Sequence, residues 1–374
     1  MSYSLESHPF FVPWTDPLSG VRSYLLNERV APVQMPIYFV NPAVSADEKW
    51  LWFGCGYPPS PFRRLGVVGL DPDNPFIKVF QEATFHAESP LITSAGDSCY
   101  FASGSGVYEI NISGEVRSVL QIPQNILKNR VLSRVATHLT LSADGKYLLM
   151  DGAFVGGIWF VAVGDIATGE VRLLKEWRQH MNHTQFSPTD PKLFSIAQDW
   201  WHDPISGQPY GFDLRIWLMD TDGTRYEPLR PGDWFGHGTL ACHEWWDAQG
   251  RLCWVDYDAG VFRCDVYSRD LEHIWHRPLC HAHTDTTGNY WCGDNTPYKW
   301  DEQPVEVLFF NAETKRTIPI VSAMPKPPLP RTPLHLDPHP HFSPQGTHIV
   351  FMTTVRGLVD VAITEVAPLV ELAQ

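Results

Sequence analysis

One turn recurs along this chain and limits what it can fold into. The stretch LTLSADGKYLLMDG, from Leu139 to Gly152, is a short apolar strand, a turn of the form S-x-D-G and a second apolar strand. A third strand and an Asp/Gly turn into a fourth follow in IWFVAVGDIATGEVRLL, from Ile158. Similar turns start at Ser45, Ser94, Ser187, Asp247, Asp285 and Ser343. Downstream hairpins fit VYEINISGEVRSVL, IWLMDTDGTRYEPL and VLFFNAETKRTIPI. Units repeating at roughly 40–60 residues match the blade length of a β-propeller. The expected fold is therefore all-β: a seven-bladed β-propeller with four-stranded antiparallel blades, one domain over residues 1–374. The last unit, ending soon after LVDVAITEV, lacks a fourth strand. VRSYLLNERV, at about residues 20–30, can supply it and close the ring, which removes exposed sheet edges. Two separate β-sandwiches are the alternative, but they give no reason for one turn to recur.

The repeat gives every residue an address. Four residues before each turn anchor stand Asn41, Pro90, His138, His183, His243, His281 and His339. This position falls on the innermost strand of a blade, so five consecutive units aim an imidazole at one central channel. LHLDPHPH adds His335, Asp337, His339 and His341 at alternating positions, which point one way in an extended segment. His281 and His283 repeat that spacing one unit earlier. Imidazole and carboxylate converging from two strands suit a divalent transition metal, whether Zn, Mn, Fe, Co or Ni, and not an all-oxygen calcium site. A lone His in a strand is more often a satisfied polar residue, and His335 and His341 could equally be exposed in a loop.

Composition narrows the partners. Twenty-eight basic against 42 acidic residues give a net charge of −14 with no basic stripe, which argues against nucleic acid. An acidic ligand would need local cations, either Arg or a metal. Seven cysteines without a C-x-x-C pair argue against a disulfide framework and for a reducing compartment. The start, MSYSLESHPFFVPW, has no basic or apolar leader pattern, and no apolar run approaches the ~18 residues of a membrane span. The cytoplasm is the expected location, and the oligomeric state is not readable.

Other patterns carry less. Ser105-Gly106 and Gly152–Gly157 contain glycines but no following helix, against a phosphate loop. No G-x-S-x-G supports a hydrolase nucleophile. Trp200, Trp201, Trp234, Trp245 and Trp246 either stack on sugars or fill the core between blades. Two stretches break the rhythm: a Trp/Gly/Pro-rich insertion from Asp199 to Asp213 and a Pro-rich one from Ala323 to Pro340. Long loops of this kind are often functional.

DLRIWLMDTDG, CHEWW, CHAH…GDN and DPHPHFSP together resemble the oligogalacturonate lyases, seven-bladed propellers of pectin degradation. The specific motifs lie in the C-terminal half. The resemblance implies a divalent metal, typically manganese, held by His residues of the last two blades and bound to a uronate carboxylate. It further implies His243 as the base, Arg215 as a partner of the carboxylate or the developing enolate, and His281 and His339 as ligands. Asp337 stands where the family has His, and Leu334 where it has Gln, with His335 beside it. A ligand set of His281, His335, Asp337 and His339 can be drawn.

β-Elimination from a 4-linked uronate needs a neutralised carboxylate, a base for the C5 proton and an acid for the leaving oxygen. His138 and His183 could bind hydroxyls or supply that acid. His237 is a further base or substrate contact, and Trp201 a sugar platform. The reading is a metal-dependent lyase on a small acidic oligosaccharide. Its alternatives are an enzyme on another acidic or oxidised sugar, or a non-catalytic TolB-like binding propeller.

Overall fold

In the computed structural model the chain is almost entirely β-structure. The structure describes residues 4–86, 90–203, 206–211, 214–229, 241–296, 300, 303–326 and 334–374. The strands form seven antiparallel blades in chain order, over residues 33–85, 91–121, 132–177, 181–228, 241–275, 281–324 and 341–365. The seventh blade is completed from the other end of the chain. Strand Arg22–Leu26 pairs with strand Asp360–Glu365, Tyr24 opposite Ile363, and Phe11–Thr15 pairs outside it.

The recurring turn has a simple physical cause. Ser142 Oγ accepts the N–H groups of Lys146 and Tyr147 at 3.2 and 3.0 Å and donates to Asp144. Ser45 does the same for Lys49 and Trp50. Where Asp285 is the anchor, its Oδ1 accepts from Gly288, Asn289 and Tyr290. The position needs a short side chain with an acceptor oxygen, so Ser and Asp interchange. Hydrogen bonding also corrects one address. In the second blade the anchor is Thr93, whose N–H bonds Ser98 O, and not Ser94. Pro90 is therefore one residue out of step with the His series.

Packing between blades makes the core. Trp52, Trp245, Trp254 and Trp291 are fully buried there. Trp246 donates its indole N–H to Gln185 O and Ser195 Oγ of the fourth blade. Trp245 and Trp246 are thus core residues. Trp200 is exposed, Trp201 is half-buried, and Trp234 lies outside the described residues. All seven cysteines are buried and free. Among the described residues no helix is long and apolar enough to cross a membrane.

Candidate metal centre and active site

The inner strands do not run straight past the channel. Cys242 pairs with Val255 and Trp245 with Cys253, so His243 and Glu244 together oppose one residue. Asn182 and Gln185 bracket His183 and Thr184 in the same way. His183, His243, His335 and His339 all have left-handed φ, between 47° and 54°. The two-against-one bulges turn His183 and His243 out of the pleat, and all four histidines hold a conformation that non-glycine residues adopt at a cost.

The first blade contributes a larger excursion. Pro36 pairs with Phe53, and Ala43 O already accepts the N–H of Trp52. The six residues between, 37–42, leave the sheet and fill the channel. Tyr38 stacks on His138 at 5.0 Å and lies 4.7 Å from His339, centroid to centroid. Phe39 packs against His243, His281 and Trp245. Asn41 donates to the carbonyls of Pro90 and Leu139.

Around this plug, one ligand atom from each of His281, His335, Asp337 and His339 lies within 4.8 Å of the others. Second partners orient them. His281 Nδ1 donates to Asp294, whose carboxylate also accepts the N–H groups of His281 and His339. Asp337 accepts from Thr296 Oγ1 at 2.6 Å and pairs with His335 Nε2 at 2.9 Å. Burial pushes the two acids up. In Asp337 the bonds from His335 and Thr296 outweigh it and hold the pKa below the usual range, whereas Asp294 ends above it. His339 Nε2 is buried with no hydrogen-bond partner. A buried orphan imidazole nitrogen, with two more imidazoles and a carboxylate beside it, fits a divalent transition metal.

His243 adjoins this group. It forms a second three-membered cluster with Cys280 and His281. Its Nε2 is 2.9 Å from Tyr257 Oη, and its Nδ1 is buried without a partner. Burial, reinforced by His281 and Arg215, holds its pKa well below the ordinary value, so the ring is neutral. Arg215 is buried between Glu244 at 3.2 Å and Asp199 at 3.2 Å. Burial disfavours its charge, but Glu244 and Asp199 more than restore it. On the far side of Tyr38, His138 Nε2 and His183 Nδ1 are 2.6 Å apart.

The alternating pattern fails at its last member. The left-handed φ at 335 and 339 breaks the alternation, so His341 turns away. It is fully buried, donates from Nδ1 to His339 O and accepts Ala43 N–H at Nε2. His283 accepts the N–H of Phe342 at Nδ1. Both join blades. Trp201 lies in the two-stranded hairpin with Tyr210 and meets Trp159 edge-on at 5.1 Å, and no contact among the described residues brings it to the histidine group. His237 lies outside the described residues.

No family model matches the chain. Over 213 residues it is 26% identical to an oligogalacturonate lyase of Dickeya dadantii, and that match covers 52% of each protein. An oligogalacturonide lyase of Pectobacterium atrosepticum is 23% identical over the same length. The matched region thus spans about half the length of the curated relatives. The fold superposes on an oligogalacturonate lyase in complex with manganese with a TM-score of 0.78, at 17% identity, over 95% of this chain and 96% of that one. An oligogalacturonate lyase from Vibrio parahaemolyticus gives 0.77 at 16% identity over the same shares. This chain is similar to the oligogalacturonate lyases. Beyond the residues that the sequence singles out, the structure adds Tyr38, Tyr257, Thr296 and Asp294. Asp294 had a signal: it stands nine residues after its turn anchor, as Asp151 and Asp256 do after theirs. Tyr38 and Phe39 had none, because IYF reads as ordinary strand.

Proposed function

We propose that this chain is a metal-dependent lyase that cleaves short uronate oligosaccharides, of the oligogalacturonate type, by β-elimination, with manganese as its metal. The observation that carries the reading is the convergence of His281, His335, Asp337 and His339 beside His243, whose Nδ1 has no protein partner. The similarity to oligogalacturonate lyases, one of them solved with manganese, points the same way. Seven buried free thiols suit the cytoplasm as the compartment.

In the reaction the C5 proton leaves, the C4–O bond breaks, a C4=C5 double bond forms and O4 takes up a proton. A bound divalent ion would neutralise the carboxylate and acidify C5. Asp294 fixes the His281 ring so that Nε2 faces the site, as a carboxylate behind a ligating His does. In the tautomer that donates Nε2–H to Tyr257 Oη, His243 keeps the lone pair on Nδ1 to accept the C5 proton. Arg215 adds fixed positive charge beside His243 where the enolate develops. His138 and His183 are placed to meet hydroxyls or the leaving oxygen.

The test is a rise in the ultraviolet absorbance of unsaturated uronate when manganese-loaded protein meets digalacturonate, abolished by a chelator. His243→Gln should slow the reaction by about 10²–10⁴-fold while manganese affinity holds. A flat trace from protein shown to contain metal would overturn the substrate. An undiminished rate in the variant would overturn the base.

A further inference from the structure

One thiol at the channel has no part in the reaction above. Cys280 is buried, outside any disulfide, and its Sγ lies 3.9 Å from His281 Nε2. A ring nitrogen of His243 completes a group whose three ligand atoms lie within 4.8 Å of one another. Tetrahedral zinc bonds sulfur and imidazole at about 2.3 and 2.0 Å, which sets two such ligands roughly 3.5 Å apart. The observed spacing needs a shift of only a few tenths of an ångström. The backbone holds both imidazoles in place: His243 sits in the bulge between Cys242 and Trp245, and His281 pairs with Asp294 inside the sixth blade. His243 also brings a buried nitrogen, Nδ1, that no protein group satisfies, and burying such a group without a partner is costly.

This group overlaps the candidate metal group and differs from it in kind. His281 belongs to both. Its Nδ1 is held by Asp294 at 3.0 Å, which leaves Nε2 as the one nitrogen for either ion. The first group adds two imidazoles and a carboxylate, and the carboxylate suits manganese. The second adds a thiol and an imidazole, which suit softer ions. Zinc also stands above manganese in intrinsic affinity for nitrogen and sulfur ligands. An ion in one group therefore denies the other.

We infer that His243, Cys280 and His281 form a second metal site, for a thiophilic divalent ion such as zinc, whose occupancy excludes manganese and silences the base. As the sulfur–metal bond forms, the thiol proton leaves to solvent. A neutral imidazole has one nitrogen lone pair to give. Whichever nitrogen of His243 binds the ion, none is left for a C5 proton. The arrest of catalysis rests on the uronate reading, and the binding does not.

The experiment titrates the metal-free protein with cadmium, a soft stand-in for zinc whose bond to a thiolate absorbs in the ultraviolet. The parent should develop that absorption and saturate at one cadmium per chain. Cys280→Ser should lose it although the other cysteines are intact, and Asp337→Asn should keep it. His243→Gln should bind cadmium about tenfold or more weakly, at least the loss that weakened support brings to a metal site, while its manganese affinity holds. That variant decides the matter if Cys280→Ser fails to fold. In the manganese-loaded parent each cadmium bound should release one manganese, counted by the electron paramagnetic resonance of the free ion. Cadmium bound without sulfur absorption, absorption kept in Cys280→Ser, or manganese retained beside bound cadmium would each overturn the site. A chain that shows the absorption and the exchange but cleaves no uronate overturns the uronate reading and leaves this site standing.

Discussion

At the scale of single residues, burial decides the protonation of the channel. His138 is fully buried, and burial lowers its pKa to about 4, partly opposed by Asp151 and reinforced by Arg134 and His335. An imidazole in the unfolded chain titrates near 6.5. Above that value both states are neutral and the group is silent. As pH falls below it, the unfolded chain takes up a proton that the folded one refuses. Stability then drops by about 1.4 kcal/mol per pH unit, until the folded pKa is reached. His138→Phe keeps a ring against Tyr38 and removes the proton site. Its unfolding free energy, from urea titrations at pH 7, 6 and 5, should decline less steeply than the parent's by about that amount per unit. Equal slopes would show that His138 is not held neutral by the fold. Candidate ligands were legible at this scale where chemistry restricts residue type, as with imidazole and carboxylate grouped as a metal would require. Tyr38 was not legible, because it matters through its position alone.

At the scale of the element, the inner strand is an irregular strand with a purpose. A regular strand would keep His183 and His243 in the pleat, and the bulge turns them into the channel. The turns were readable because a side-chain oxygen must close each one. The bulges were not, since His carries no sign that its φ is positive, and the excursion of residues 37–42 was hidden because its apolar residues suit a strand equally well. This makes an unusual prediction for His183, whose φ is 53°. Strand propensity ranks Val well above Gly. The left-handed region reverses the order, since a Cβ costs about 1–2 kcal/mol there and a branched one more. His183→Gly should therefore be more stable than His183→Val by at least about 1 kcal/mol, measured by chemical denaturation. If Val proved the more stable, the backbone at this position would have to be extended.

At the scale of the whole molecule, the candidate metal group depends on contacts far from any ligand. His281 belongs to the sixth blade, and His335, Asp337 and His339 lie on the segment that enters the seventh. The seventh blade is held by strands from the opposite end of the chain, with Leu25 fully buried and paired with Ala362. The blade count was readable from the recurring turn; the likeness of the C-terminal half pointed to His281 and His339, and the alternating run around His339 offered His335 and Asp337, and the fold gathers one ligand atom from each of the four. What the sequence concealed is the physical link between the two: the missing fourth strand of the last unit points to residues 20–30, but nothing in the pattern ties that closure to the ligands. Removing residues 4–26 deletes no ligand. It leaves the strand Asp360–Glu365 as an open edge and lets the seventh blade shift against the sixth. Manganese affinity, followed by calorimetric titration, should then fall by about tenfold or more, the size of effect that loosened ligand support has in metal sites. A peptide of residues 4–30 added back should restore part of it. Unchanged affinity in the shortened chain would mean that the four ligands are positioned by the sixth blade and the plug alone, and that closure serves stability without serving the site.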